Sequence, residues 1–436
     1  MERQHITIIG GGIAGLTTAI ALKRIGRSVT VFEAAPTIRP IGSGISLAPN
    51  ALSAFGALGL SEALQERGHM LRTFHILDHR GRTLTRTSVP EEVGPGILCI
   101  HRADLHAFLM EQLEPGDVRL GRRTVDIHQD AHRVIVTFAD GTQHRTPLLI
   151  AADGVRSVVR GRLIPGVSPR HAGYVAWRGE VEAPVGMAGT ASETWGPKGR
   201  FGIVPLGRGR VYWFATTNAA DDDHRLAQYR VTDLQRHFAG YHPAVRDVLA
   251  RATDGTLIHG PIQDLPAMAH FAHGRVLFIG DAAHATTPNM GQGACQAIED
   301  AVVLAHALRT TPDAAAAFRA FEQERMPRTE WVVRNSRSIG AVGQWAHPLA
   351  IALRNRLIRQ LPPSFGQSRS ARINDVRFEP LPATLTRGTD ARHTSPDRAD
   401  GKPGNDVAHA APSGSPVPPH ARAAGPEHGD IHHYAS

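Results

Sequence analysis

The sequence predicts an α/β fold in which a Rossmann-like nucleotide-binding domain is interrupted by an antiparallel sheet and followed by helices. The β-branched run at residues 5–10, HITIIG, breaks into glycines before a helical pattern and a second strand at residues 28–33. Strand-like segments separated by Gly/Pro-containing turns then fill residues 172–264. A buried-strand pattern returns at residues 275–280, before a long helical pattern at residues 293–308, so the chain re-enters the first domain.

The segments between these landmarks fit the same architecture. A helical pattern extends from near Ala103 to Leu113. Residues 133–138 and 147–152 have strand patterns, and they flank an Asp140-Gly141 turn of the kind found in hairpins. The α/β character is therefore expected to continue to about residue 165.

Composition and charge exclude several classes of protein. The 436 residues are 42% hydrophobic and 20% charged, which is typical of globular proteins. No apolar run approaches the roughly 20 residues of a spanning helix, so we expect a cytoplasmic protein without a membrane span. The net charge of +8 comes from dispersed arginines and predicts no nucleic-acid partner. Cys99 and Cys295 are too few and too far apart in sequence for a disulfide framework or a metal site.

The glycine turn after the first strand has the spacing of a dinucleotide-binding motif. Gly10, Gly12 and Gly15 let the backbone approach a pyrophosphate, and the following helix directs its N-H groups at that anion. Glu33 ends the second strand, where its carboxylate can accept hydroxyls of an unphosphorylated ribose. FAD and NAD both satisfy this pattern. The residues assigned to the nucleotide here are Gly10, Gly12, Ala14, Gly15, Glu33 and Ala34.

Two later motifs decide between FAD and NAD. Residues 148–160, LLIAADGVRSVVR, and residues 280–305, GDAAHATTPNMGQGACQAIEDAVVLA, follow predicted strands. With them the chain resembles the flavoprotein monooxygenases that include salicylate-, 3-hydroxybenzoate- and urate-hydroxylase-like enzymes and zeaxanthin epoxidase. The resemblance covers Ile6 to about Leu361, and it implies FAD in a Rossmann-like domain of the glutathione-reductase type.

The resemblance also implies domain boundaries. Residues 1–171 and 272–362 would form the FAD-binding domain with its C-terminal helices. Residues 172–271 would form a mainly antiparallel substrate-binding domain. Residues 363–436 lose apolar periodicity and are rich in Pro, Gly, Ser, Asp and His, which predicts a disordered tail.

Further cofactor contacts follow from the same resemblance. Asp153 is expected near the FAD pyrophosphate, Asp281 on the ribityl chain, and Ser46 in a segment beneath the isoalloxazine at residues 39–51. The helix after Gly291 would direct its N-terminus at the flavin pyrimidine edge and stabilise the anionic reduced flavin. The residues assigned on this basis are Ser46, Arg102, Thr124, Asp153, Asp281, Gly291, Gln292, Gly293, Ala294 and Cys295.

The implied activity is an FAD-dependent monooxygenation. NADH or NADPH acts as the transient reductant, and molecular oxygen is used to hydroxylate a small aromatic or heteroaromatic substrate through a flavin hydroperoxide. No side chain is assigned as catalytic. The substrate is expected between the flavin and the antiparallel sheet, with Arg200 and Tyr212 as candidate contacts, and the enzyme is expected to be a monomer or a homodimer.

Two alternatives remain open from the sequence. The same flavin machinery would serve an epoxidase or an oxidative tailoring enzyme acting on a larger alkene or polyketide-like substrate. A non-catalytic ligand carrier with a flavoprotein fold is a hypothesis of another class, although the intact glycines, Glu33 and Asp281 oppose it. Disulfide reductases are excluded because the sequence has neither a C-x-x-C motif nor a second glycine motif after a strand. His284 is interpreted as a structural hydrogen-bonding residue.

Overall fold

The secondary structure comes from a computed structural model that describes residues 5–38, 43–89, 96–183, 190–362 and 371–382. The strands of these residues, in chain order, are β1 (Ile6–Ile9), β2 (Val29–Phe32), β3 (Gly44–Leu47), β4 (His69–Leu71), β5 (Thr73–Asp78), β6 (Thr83–Ser88), β7 (Ile97–His101), β8 (Val118–Arg119), β9 (Thr124–Gln129), β10 (Val134–Phe138), β11 (Gln143–Thr146), β12 (Leu148–Ala151), β13 (Arg170–Glu182), β14 (Ala191–Gly196), β15 (Gly199–Gly207), β16 (Arg210–Asn218), β17 (Ile258–Asp264), β18 (Ala272–His273) and β19 (Val276–Phe278). The helices are α1 (Ile13–Arg24), α2 (Pro49–Ala57), α3 (Ser61–Gln65), α4 (Arg102–Glu111), α5 (Val158–Leu163), α6 (Val231–His237), α7 (Pro243–Arg251), α8 (Asp281–His284), α9 (Gly293–Thr310), α10 (Ala314–Gly343) and α11 (Pro348–Gln360).

A six-stranded sheet in the order β18-β19-β12-β1-β2-β8 forms the base of the nucleotide-binding domain. β1 pairs in parallel with both β2 and β12, and β12 pairs in parallel with β19. All four residues of β1 are buried, which explains why its sequence is a continuous apolar and β-branched run. The late strand β19 joins the early strands, so the predicted return of the chain to the first domain is confirmed.

A second, seven-stranded sheet has the order β17-β13-β16-β15-β14-β5-β6. Its segments between residues 170 and 264 pair antiparallel, as predicted. The prediction missed that β5 and β6 also join this sheet, and that β5 pairs in parallel with β14. Because β5 is so far from β14 in the chain, no local pattern indicates this pairing.

One face of the seven-stranded sheet packs in a separate hydrophobic core, and the other face is turned toward the nucleotide-binding domain. Trp177, Phe201 and Trp213 lie on the inner face and pack with residues of α6 and α7, and the rings of Phe201 and Trp213 stack at 5.6 Å. The strand register places residues of alternate positions on the opposite, front face. These front-face residues are Tyr174, Arg178, Glu180, Glu193, Trp195, Arg200, Tyr212 and Phe214.

The C-terminal helices pack against both sheets, and part of the tail is ordered. The backbone N-H of Leu381 donates to the Ala57 carbonyl at 2.8 Å, and Leu381 and Ile373 are buried. The predicted disorder is therefore wrong for residues 371–382, because two apolar side chains find a place in the core. The rest of the predicted tail, residues 363–370 and 383–436, and residues 39–42 of the segment assigned to the isoalloxazine lie outside the described residues. None of the described helices is both long enough and apolar enough to cross a membrane.

Candidate functional site

The glycine turn joins β1 to α1 under tight steric limits. Gly10 has φ +105°, and a Cβ added there would lie 2.3 Å from the Ala152 carbonyl oxygen. A Cβ added at Gly15 would lie 1.9 Å from the Gly10 carbonyl oxygen, so α1 can approach the strand only with glycine at that position. A Cβ at Gly12 would meet open space. The turn therefore leaves an accessible backbone surface at the start of α1.

The carboxylate of Glu33 is held beside this turn. Its Oε2 accepts the Gly11 N-H at 2.7 Å, and its Oε1 accepts the Ala35 N-H at 2.8 Å. Ala34 therefore lies in the short turn that Glu33 and Ala35 close. Helix α1 begins without a side-chain cap and without an acidic residue in its first turn. Its first N-H groups are consequently available to an anionic group.

The late aspartate belongs to a segment that packs on α1 next to the glycine turn, and we call the open space beside Gly12 that these segments border the cavity. Gly280 has φ +55°, and a Cβ added there would lie 2.9 Å from the Ala14 Cβ and 3.3 Å from the Ala297 Cβ. Gly280 thus sits where α1 meets α9, and Asp281 follows it at the start of α8. Burial lowers the pKa of Arg102, and the nearby Asp281 carboxylate opposes that shift. The structure therefore brings Asp281 and Arg102 together at the N-terminus of α1.

The turn before α9 forms another wall of this cavity. Gly291 has φ +62°, and Cβ atoms added at Gly291 or Gly293 would have no close contact. The thiol of Cys295 donates to the Gly291 carbonyl oxygen at 3.4 Å and accepts the Ala48 N-H at 3.4 Å. This thiol therefore fixes the turn to the segment after β3. Helix α9 also begins without a side-chain cap or an early acidic residue.

Three residues assigned from the sequence have mainly structural contacts. Asp153 follows β12 beside Gly10, and its Oδ2 accepts the Val159 N-H at 3.2 Å, which caps α5. Burial raises the pKa of Asp153. Ser46 lies on β3 with its Oγ 3.5 Å from the Cys99 Sγ. Thr124 is buried on β9, opposite Phe138 in a separate three-stranded sheet.

A buried charge network behind the cavity was missed by sequence reasoning. Arg325 of α10 donates to the Asp300 carboxylate at 2.7 Å and also pairs with Glu299, and all three side chains are buried. Asp300 Oδ2 accepts the Gly280 N-H at 2.9 Å and lies 2.6 Å from His284 Nε2, which agrees with a structural role for His284. The available signal was a pair of adjacent acids, Glu299 and Asp300, inside an apolar helical run.

The network holds both turns of the cavity in place. On the α9 side, Asn50 donates to the Gln292 side-chain oxygen at 3.0 Å and to Glu299 at 2.5 Å. On the α8 side, Asp300 is bonded to the Gly280 backbone. Burial by itself would raise the pKa of Asp300, but His284 and Arg325 outweigh it and hold that pKa below its usual range. Asp300 is therefore a carboxylate at neutral pH.

The two substrate candidates share the front face but differ in accessibility. Arg200 is 2% exposed, pairs with Glu193 at 3.0 Å, and lies over the ring of Tyr174 at 5.3 Å. Tyr212 is only half-buried and lies against β3, since a Cβ added at Gly44 would be 2.5 Å from the Tyr212 Cβ. Burial raises the pKa of Tyr212, and neighbouring Arg178 works against that rise.

Arg178 is another residue that sequence reasoning did not assign. It is half-buried on the front face, and its charge lowers the pKa of Arg102, which itself lies near Asp281. Arg178 and Tyr212 therefore stand between the seven-stranded sheet and the cavity at the glycine turn. No sequence pattern distinguishes Arg178 from an ordinary surface arginine of a strand.

Both cysteine thiols should be unreactive in the folded protein. Burial raises the pKa of Cys99 to about 11 and that of Cys295 to about 12, so both remain protonated at neutral pH. We expect no reaction with a thiol-specific disulfide reagent in the folded protein at pH 8 and reaction of both thiols after unfolding in guanidinium. Rapid labelling of a thiol in the folded protein, read by mass spectrometry, would contradict the burial of that residue.

Comparison with known proteins shows the family of this chain. Residues 3–336 match the family described as FAD binding domain. The chain belongs to the FAD binding domain family. It is 36% identical to Aurachin C monooxygenase/isomerase of Stigmatella aurantiaca over 86% of this chain and 98% of the relative. It is also 36% identical to 2-heptyl-3-hydroxy-4(1H)-quinolone synthase of Pseudomonas aeruginosa over 82% of this chain and 94% of the relative.

A solved structure agrees with this membership in the FAD binding domain family. Klebsiella pneumoniae HpxO complexed with FAD and uric acid matches with a TM-score of 0.78 and 31% identity, covering 85% of this chain and 97% of that one. The predicted fold class and family are confirmed, and the protein is an FAD-dependent monooxygenase. Its cofactor is FAD, and use of NAD(P)H is typical of the family.

Proposed function

We propose that this monooxygenase uses NAD(P)H and molecular oxygen to hydroxylate a small aromatic or heteroaromatic substrate. The observation that carries the proposal is the position of the polar front face of the seven-stranded sheet. Arg178 and Tyr212 on that face lie near Arg102 and Asp281, which adjoin the glycine turn. A substrate bound between them would lie between the sheet and the cofactor.

The residues of the cavity fit FAD. The helix starts at Gly12 and Gly293 are uncapped by side chains. An added Cβ would meet open space at Gly12 and only the Thr286 Cγ2 at 3.7 Å at Gly293, so both starts can face the pyrophosphate and the electron-rich flavin edge. Glu33 and Asp281 would accept hydroxyls of the ribose and the ribityl chain, and Arg102 would balance the phosphate charge. When bound, FAD supplies the redox chemistry of hydride uptake and oxygen activation.

The protein's own contribution is to bind, orient and shield the substrate. The Tyr212 hydroxyl is protonated at neutral pH, since burial raises its pKa above an ordinary value of about 10, and it can donate to an oxygen of the substrate. Arg178 supplies a positive charge at the same place and suits an anionic or phenolate group. Buried Arg200 pairs with Glu193 and lies over the ring of Tyr174. Arg200 remains a second candidate for substrate contact.

The names of the relatives support a ring substrate. One relative is named for a quinolone, and the matched structure contains uric acid, so heteroaromatic rings occur in both. We propose a heteroaromatic ring as the substrate class of this chain, and we do not propose either of these two compounds as its substrate. The proposal includes a cytoplasmic location, because the nicotinamide reductant is drawn from the cytoplasm. A monomer and a homodimer are both compatible with it, since every residue named at the site comes from one chain.

The proposal is tested with the FAD-loaded enzyme and a panel of aromatic acids, phenols and N-heterocycles. A substrate should accelerate NAD(P)H oxidation and yield a product that gains one oxygen atom, measured by mass spectrometry with isotopically labelled oxygen. Oxidation that yields only hydrogen peroxide with every compound would contradict the proposed substrate class. A larger alkene that gains oxygen as an epoxide would favour the alternative activity.

Removal of the Tyr212 hydroxyl should weaken substrate binding more than it impairs folding. For Tyr212→Phe we expect KM for the best substrate to rise about threefold to tenfold, because one hydrogen bond is lost. The fraction of NAD(P)H consumed that yields product should also fall. Tyr229→Phe is the matched control, since Tyr229 stacks on Trp177 at the opposite face of the sheet. Equal effects of the two substitutions would contradict the role of Tyr212.

A further inference from the structure

Helix α11 carries an apolar stripe on the protein surface. Of the nine large apolar side chains that are exposed among the described residues, five lie between residues 345 and 361. Four are leucines spaced four residues apart; the first three lie on one side of α11, and the fourth is the residue at its C-terminal cap. They are Leu349, Leu353, Leu357 and Leu361, with exposed fractions of 76%, 55%, 52% and 47%, and the fifth residue is Trp345.

The opposite side of α11 is fixed to the protein. Arg354 is 2% exposed, donates to the Gly343 carbonyl oxygen at 3.0 Å, and lies over the Trp195 ring at 5.2 Å. Ile351 is buried, and Arg359 donates to the buried Asp78 carboxylate at 3.0 Å. These contacts determine the rotation of the helix about its axis. The leucine stripe therefore faces outward because of the fold, and not because the helix is loosely attached.

The charges of this segment indicate what covers the stripe. Residues 345–362 contain three arginines and no acidic residue. Arg356 is exposed, and its position three residues after Leu353 places it beside the leucines. Pairing of this stripe with a second copy would bring Arg356 side chains together without an acidic partner on α11. An anionic lipid surface would accept the leucines and also neutralise Arg356.

We propose that α11 docks this enzyme on the surface of an anionic membrane. The helix lies in the interfacial plane, with its leucines in the acyl boundary and Arg356 extending its stem to the phosphate level. Trp345 adds an interfacial aromatic at the N-terminal side of the helix. The opposite side of α11 contacts the seven-stranded sheet, since Arg354 lies over the Trp195 ring at 5.2 Å.

Sedimentation with vesicles tests the proposal on the full-length, FAD-loaded enzyme. We expect it to sediment with vesicles of equal parts phosphatidylcholine and phosphatidylglycerol, and to remain in solution with phosphatidylcholine alone. High salt should release it, because screening weakens the attraction to the lipid phosphates. The double variant L353E/L357E should bind at least about tenfold more weakly, since two charges replace apolar groups that the bound membrane would bury. Arg356→Glu should bind several-fold more weakly, and Arg356→Lys should restore binding.

The double variant L120E/V125E is the matched control. It makes the same change at two exposed apolar residues elsewhere on the surface, so its vesicle binding should equal that of the wild type. FAD content and circular dichroism confirm that each variant is folded. The proposal is overturned if the wild type stays in solution with both vesicle types, or if L353E/L357E binds as well as the wild type. It is equally overturned if sedimentation velocity shows a stripe-dependent dimer that does not bind vesicles.

Discussion

Asp281→Ala is expected to purify with little or no FAD. The carboxylate stands at the start of α8, beside Arg102 and the N-terminus of α1, where the hydroxyls of the ribityl chain would lie. Loss of a charge-assisted hydrogen bond of about 1.5–3 kcal/mol weakens binding by about tenfold to a hundredfold. The ratio of flavin absorbance to protein absorbance measures the content, and titration of the apoprotein with FAD measures the affinity.

A matched substitution separates loss of the cofactor from loss of the fold. Asp222 is exposed in a turn of the substrate domain, so Asp222→Ala should retain full FAD. Asp281→Asn keeps the shape and one acceptor oxygen, so its affinity should lie between those of wild type and Asp281→Ala. If Asp281→Ala binds FAD as tightly as the wild type, the residue does not hold the cofactor, whatever the stability of the variant.

The sequence was sufficient to predict the parts of the cavity that are local in the chain. Gly10, Gly15 and Glu33 belong to one strand-helix-strand unit, where steric limits and chemistry leave few other residue types possible. Asp281 was assigned to the cofactor because its neighbours in sequence carry a long motif, and that assignment stays a prediction. In the structure, Gly280 lies against Ala14, so the segments that carry the two distant motifs are neighbours.

What the sequence could not predict depends on pairing between distant segments. A period of two along β13 and β16 shows that residues alternate between two faces, but it does not tell which face meets the cofactor. Arg178 and Trp177 are adjacent in sequence and lie on opposite sides of the sheet. Likewise, nothing local in β5 indicates that it pairs with β14.

The charge network shows the same limit for helices. Arg325 lies in a helical segment with many charged residues, which ordinarily indicates an exposed face. Only the packing of α10 on α9 places Arg325 between Glu299 and Asp300. We therefore expect substitution of Arg325 to lower the free energy of unfolding strongly, although no contact of Arg325 with the cofactor is proposed.

Arg325→Met is expected to cost about 3–5 kcal/mol of unfolding free energy at pH 7, because it leaves buried carboxylates without their main partner. Chemical denaturation of the FAD-free protein measures this loss apart from cofactor binding. FAD affinity should fall as well, since Asp300 and Glu299 hold Gly280 and the turn at Gln292. Arg319→Met, at an exposed position of the same helix, should change stability by less than about 0.5 kcal/mol.

The pH dependence identifies charge as the cause. In the wild type the pKa of Asp300 is below its usual range, so its contribution to stability is present above the unfolded pKa of about 4 and is lost as the pH falls. Without Arg325, burial is less opposed and the pKa of Asp300 rises. The folded variant then takes up a proton more readily than the unfolded chain, so the stability difference between wild type and Arg325→Met should shrink from pH 7 to pH 5. A second substitution, Asp300→Asn, should recover part of the loss at pH 7. A difference that is constant with pH, and that Asp300→Asn does not reduce, would instead indicate a packing defect.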